Sequence, residues 1–182
     1  VGQAGDSRTT TVEDFKKDSG DAPKKVEYFA EKYSKMRRGI IPHAYSLDDF
    51  NASELNGMDF VFLCIDGSER KRHIVEKLEE LNISFIDTGM GINIVDETLH
   101  GTVRSTLNTP LKRNHFRARV GFSDDDNNEY VRNIQIADLN ALNAAHAVIR
   151  WKKLFGFYKD YTSEHTSLYD VDGNFIHNVD IS

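Results

Sequence analysis

The chain has 182 residues, 39% of them hydrophobic, which is enough for one full domain or two small ones around a real core and argues against disorder of the whole chain. With 29 acidic against 23 basic side chains, its formal charge of −6 speaks against a protein whose main work is gripping nucleic acid or an anionic membrane. A single cysteine, Cys64, excludes an internal disulfide and a four-cysteine zinc site and fits the cytoplasm, and no apolar run approaches the roughly 18 residues that a bilayer span needs.

Residues 1–23 hold scattered glycines and three consecutive threonines with no sustained period, and read as an arm or loop; 24–182 read as the folded part. From Pro23 the pattern turns helical, with Val26, Phe29, Ala30, Tyr33 and Met36 on one stripe, basic residues in the last turn and Gly39 closing it. Residues 40–46 read as a short strand. The run at 58–65 (MDFVFLCI) is almost wholly apolar and short, as expected of a parallel strand covered on both faces. Asp66-Gly67-Ser68 then turns into an amphipathic helix over 69–81, and a strand over 84–88 completes a βαβ unit.

Beyond Gly89 the rhythm predicts an antiparallel hairpin that turns at Asp96 and Glu97 and runs to Leu107. Residues 108–129 read as a crossing loop. The longest helix is expected over 136–155, with Ile136, Leu139, Leu142, Ala145, Val148, Ile149 and Leu154 as its core stripe. Asp172-Gly173 marks a C-terminal β-hairpin between 167–171 and 175–179. The fold class expected is α/β: a Rossmann-like, mainly parallel sheet flanked by helices, with antiparallel strands and that terminal hairpin.

Asp66 is the most informative residue, because a carboxylate just past the carboxyl end of a buried parallel strand projects into the crevice where such sheets bind nucleotides, and it can hold Mg²⁺ there. It also suits a helix N-cap. Lys24 and Lys25 open the first helix, where positive groups can meet phosphate, although paired lysines more often form a solvated face. Arg70 and Arg72 share that ambiguity. Cys64 reads as a small hydrophobe in its strand, and the seven histidines show no metal-ligand spacing. Asp170, Asp172 and Asn174 imitate the start of a calcium loop, but Phe175 and Ile181 stand where its glycine and glutamate belong, so a hairpin turn is expected. The basic strip with Arg113, Arg117 and Arg119 suits an acidic peptide better than nucleic acid, given the neighbouring Asp124, Asp125 and Asp126.

Three ordered blocks, KVEYFAEKYSKMRRGI (25–40), FVFLCIDGSERKRHIVEKLEELNISFIDTGMGI (60–92) and NIQIADLNALNAAHAVIRWKKLFGFYKD (133–160), together resemble the ThiF-type family, which includes MoeB, HesA and the ubiquitin-activating enzymes. The resemblance implies an adenylyltransferase using ATP and Mg²⁺ on the C-terminal carboxylate of a ubiquitin-like or sulfur-carrier protein. It assigns Asp66 to the metal and catalysis, and Lys25 and Arg72 to substrate binding, with Arg70 or Lys71 as rivals to Arg72. It makes 112–132 a crossover loop over the modifier's tail, and it suggests a homo- or heterodimer.

Departures from that family pattern qualify the expectation. Nothing in 1–24 supplies the strand, glycine-rich loop and helix of a first nucleotide-binding unit, which together with the Val1 start suggests a C-terminal fragment that is inactive alone. A downstream thioester cysteine and the paired CxxC motifs are absent as well. The alternative reading is a non-catalytic ThiF-like scaffold that docks a partner or modifier. A dinucleotide oxidoreductase ranks last, for want of GxGxxG and a ribose-binding acid.

Overall fold

The computed structural model describes residues 24–48, 50–65, 69–122 and 136–181. The chain divides into two compact units, Val1–Leu47 and Asp48–Ser182. Asp66 and the arm expected over 1–23 lie outside the described residues.

In the first unit, α1 spans Lys25–Ser34. Glu27 reaches back so that its Oε2 accepts the Lys24 amide at 3.0 Å, satisfying a donor that the helix start leaves open. Phe29 and Tyr33, one turn apart, stack at 6.0 Å. The strand expected over 40–46 does not form. Pro42 in its middle has no amide proton to give a ladder, which explains the difference.

The second unit is built on a five-stranded sheet in the order β1-β2-β3-β4-β5. Its strands are β1 (Val61–Leu63), β2 (Phe85–Val95), β3 (Thr98–Asn108), β4 (Thr166–Asp170) and β5 (Phe175–Val179). Among the described residues three α-helices, α2 (Glu69–Glu80), α3 (Phe116–Arg119) and α4 (Ala137–Leu154), and a short 3-10 helix at Ala52–Leu55 accompany it. The βαβ unit is present, because α2 carries the chain from β1 back to a parallel β2. The remaining three pairings are antiparallel.

The expected mainly parallel, Rossmann-like sheet is therefore corrected: one strand pair is parallel and the rest of the sheet is antiparallel. The cause lies in the connections. Asp96 and Glu97 both take positive φ, 47° and 63°, the conformation of a two-residue hairpin turn, and such a turn returns the chain antiparallel. Asp170 does the same for the last hairpin, its Oδ1 accepting the amides of Asp172 at 2.9 Å and Gly173 at 3.1 Å.

Strand alternation sends Phe85 and Asp87 to one face of the sheet and Ile86 to the other. On the first face Phe85 meets the Phe116 ring of α3 at 5.0 Å, edge to face, and both are fully buried, as are Val75 and Leu78 of α2. On the second, Ile86 and Leu107 pack against Ala147 of α4, with Phe60 at the margin. Both faces are covered, so the start of β2 is wholly buried.

The face that α4 turns inward is not the expected apolar stripe. Asn143, Ala147 and Arg150 are its buried residues, while Val148 and Ile149 are exposed. Asn143 and Arg150 are drawn in by partners, Asn143 Nδ2 donating to the Gly89 carbonyl at 2.9 Å and Arg150 pairing with Glu164. A buried polar group with a partner loses the penalty that would otherwise keep it outside.

Candidate functional site

Two buried charge clusters flank the sheet, and only the second lines the cavity described below. On the α2 face, Asp87 is completely buried between two cations. Lys71 of α2 forms an ion pair with its Oδ1, and Arg104 of β3 donates to its Oδ2 at 2.7 Å and to Thr106 Oγ1 at 2.8 Å. The Arg104 guanidinium lies over Gly89, where a Cβ would come within 2.5 Å of Nη2. This cluster braces the carboxyl end of the parallel pair, and Lys71 Nζ also reaches the Ile65 carbonyl at 3.4 Å.

The second cluster begins where α4 ends. Gly156, at φ +74°, donates to the Lys153 carbonyl at 2.9 Å and Phe157 to that of Lys152 at 2.8 Å, a Schellman cap that stops the helix. Asp160 then nucleates a turn, its Oδ1 accepting the amides of Thr162 at 3.3 Å and Ser163 at 2.9 Å. That turn delivers Glu164 and His165 beneath the helix just before β4.

Glu164, only 4% exposed, collects three donors. Arg150 Nη2 and Lys153 Nζ each meet Oε1 at 2.9 Å, and the Thr162 hydroxyl donates to Oε2. Burial by itself raises this carboxyl, but the Thr162 and Lys153 hydrogen bonds and the Arg150 charge outweigh it and hold the pKa at about 2. Arg150, 5% exposed, also donates to the Glu164 carbonyl and to Ser167 Oγ, which passes the chain of bonds to Asn178 Oδ1 at 2.7 Å. Its Nε has no acceptor.

Arg150, Lys153, Asp160 and Glu164 line a cavity of about 920 Å³. Leu107, Pro110, Leu111, Leu154 and Phe155 add apolar surface to its lining. Leu111, at 98% exposed, stands on the rim of a tight turn closed between Thr109 and Lys112. Lys112 Nζ donates to the carbonyls of Asp180 at 2.6 Å and Ile181 at 2.8 Å, tying that turn to the end of β5. His165 is buried and held below its ordinary pKa, first by desolvation and then by the charges of His115, Lys112 and Arg150, against the raising effect of the hydrogen bond that its Nδ1 makes to the Ser163 carbonyl. Ser84, just before β2, lines the cavity too, which places it at the amino ends of β1 and β2. A parallel pair would direct expectation to the opposite, carboxyl end.

Of the residues singled out in the sequence, Asp66 lies outside the described residues, Lys25 opens α1 in the first unit, and Arg72 sits on α2 in the second. Arg72 pairs with Glu69 at 3.3 Å and stacks over Phe122 at 5.8 Å. Among the described residues no group of three or more His, Cys, Asp or Glu side chains is arranged to hold a metal. Cys64, expected inside its strand, follows the end of β1 and is exposed. The basic strip is largely engaged inside the unit: Arg117 meets Glu79 at 2.7 Å, Arg113 donates to the Glu79 carbonyl at 2.8 Å, and Arg119 pairs with Asp180 at 3.1 Å. Its continuation beyond Phe122, to 132, lies outside the described residues. Arg150, Glu164 and His165 went unnoticed in the sequence. The signal available was an arginine one turn from Ala147 and two from Asn143, on one face of the long helix.

No family model and no curated protein sequence matches the chain. Among solved structures it is similar to the crystal structure of selenomethionine PaaA, with a TM-score of 0.57 and 15% identity over 91% of this chain. The chain spans about half of that protein, 50% of its length. At that identity the likeness concerns the fold alone. The ThiF-type assignment is accordingly corrected: no family model supports it, a solved structure that the chain matches is PaaA, and the sheet is mostly antiparallel. ATP-dependent adenylation, nucleotidyltransferase activity and the ThiF-like scaffold reading fall with that assignment.

Proposed function

We propose that this chain is a binding module whose cavity takes a small, largely apolar ligand. The observation that carries the reading is the cavity itself. Its volume of about 920 Å³ is that of a site for a drug-sized molecule, and its lining combines apolar side chains with a few polar groups. The apolar side chains supply affinity through surface removed from water, at roughly 25 cal/mol per Å². The buried Arg150 and Glu164 pair supplies a rigid polar floor, since both side chains are locked by several bonds before any ligand arrives. Among the described residues no helix is long and apolar enough to cross a membrane, and the lone cysteine suits a reducing compartment such as the cytoplasm.

The test is titration with the neutral fluorophore N-phenyl-1-naphthylamine. Saturable binding at one site, weakened severalfold in a Leu111→Glu variant, is expected, because that substitution places a charge on the apolar rim. Failure to bind, or binding indifferent to Leu111→Glu, would remove the cavity from consideration.

A further inference from the structure

One side chain of the lining sets what the ligand must carry, and this step rests on the cavity being the binding site. His165 is 8% exposed and lines the cavity. Its Nδ1 lies 3.0 Å from the Ser163 carbonyl, and a carbonyl only accepts, so the ring proton sits on Nδ1 and Nε2 keeps its lone pair. Burial, above all, holds the ring below its ordinary pKa and so keeps it neutral at neutral pH. Neighbouring His115 makes the contrast. Its ring stands 5.3 Å away, its Nε2 donates to the Leu107 carbonyl at 2.9 Å, and the lone pair on its Nδ1 is sealed in the interior with no partner. The Nε2 of His165 is neither sealed in that way nor met by a donor among the described residues, so it is an acceptor open to a molecule in the cavity.

A purely apolar molecule filling the cavity would strip water from this nitrogen and give nothing in return, whereas a hydroxyl would satisfy it. A charged donor such as an ammonium would suffer the same desolvation that keeps the imidazole itself unprotonated. We infer that the cavity selects an uncharged ligand with a hydroxyl on an apolar body, an alcohol or a phenol, whose O–H donates to His165 Nε2 while the body meets the apolar side chains of the lining.

The experiment displaces N-phenyl-1-naphthylamine from the intact chain at neutral pH with 4-butylphenol or with its methyl ether, 4-butylanisole, which has the same body and no donor. The phenol is expected to bind roughly tenfold or more tighter, although the ether is the more apolar of the two and burial alone would favour it. His165→Phe keeps a ring of similar size and removes the acceptor, and should abolish the preference for the phenol. Because that variant replaces a buried residue, a second readout uses the parent chain. The nitrogen NMR resonance of His165 Nε2 should move upfield on adding the phenol and stay in place with the ether. Ether binding as tightly as the phenol, a preference for the phenol that survives in His165→Phe, or an unmoved Nε2 resonance overturns the hydrogen bond to His165 and leaves the cavity standing. Displacement of the probe by neither ligand overturns the ligand class in the same way, whereas no uptake of N-phenyl-1-naphthylamine at all overturns the cavity as a site.

Discussion

The two sides of the sheet hold ionic clusters of similar make-up that end differently. On the α2 side, Lys71 and Arg104 close on Asp87 in the interior, and Gly89 leaves just the space that the Arg104 guanidinium fills. On the α4 side, Arg150 and Lys153 close on Glu164, yet all three line a cavity of about 920 Å³ together with apolar side chains. The contrast shows that buried charge alone does not mark a site. A carboxylate with more than one cation can simply brace strands and helix together. It becomes a candidate for recognition when space and apolar surface stand beside it.

The comparison is broken most forcefully at Asp87. Replacing it by Ala leaves two cations facing an apolar interior, and a loss of about 3–5 kcal/mol in urea unfolding is expected. A change below 1 kcal/mol there would mean that the α2 cluster is not a brace. On the α4 side the largest effect is one of pH. Glu164 has a folded pKa of about 2 against an ordinary 4.5, so its stabilisation is complete above about 4.5 and drains away as pH falls toward 2. Allowing for solvent screening, that is on the order of 2 kcal/mol.

His165 acts in the same direction at a higher pH. Its folded pKa lies below 6.5, so the unfolded chain takes up the proton first and stability falls as pH drops through that range. Unfolding midpoints measured from neutral pH to pH 3 check both limbs. Glu164→Gln should flatten the lower one except for the share of Asp180, also held below its ordinary value, where the Arg119 bond overcomes the effect of burial.

A smaller effect is expected for Gly89→Ala. Its Cβ would meet Arg104 Nη2 at 2.5 Å, and because Asp87 and Thr106 hold that guanidinium it cannot swing aside freely. A cost of about 1–2 kcal/mol is expected, read from the thermal midpoint, with binding in the cavity unchanged. Smallest of all is the stability change in Leu111→Glu. A side chain 98% exposed contributes little to folding, so unfolding should stay within about 0.5 kcal/mol of the parent. Loss of apolar ligand without loss of stability at Leu111, set against loss of stability without loss of ligand at Gly89, would sharpen the distinction between the two clusters.

Much of the local structure was legible in the chain. The apolar run before Asp66, the helical period after it and the Asp-Gly turn near the end predict β1, α2 and the β4–β5 hairpin, and those elements form. The turn at Asp96 and Glu97 was visible for the same reason, since a two-residue reversal leaves a mark in residue type and spacing. The proportion of parallel pairing was not, because a βαβ pattern announces one parallel pair and says nothing about which strands join it. The cavity was illegible too. Its walls come from residues as far apart as Ser84 and His165, and Arg150 and Glu164, 14 positions apart, become partners only because a cap and an Asx turn fold the chain back.

What the amino-acid order settled by itself is short-range: helical and extended periods, the residues that interrupt them, and a net negative charge with one thiol. These depend on neighbours a few positions away and on the intrinsic preferences of each residue. The tertiary structure alone decided which face α4 presents, because Asn143 and Arg150 are tolerable inside only where the Gly89 carbonyl and Glu164 await them. It decided likewise that one ionic cluster is sealed and the other borders a cavity, since the room around a charge depends on how distant segments pack.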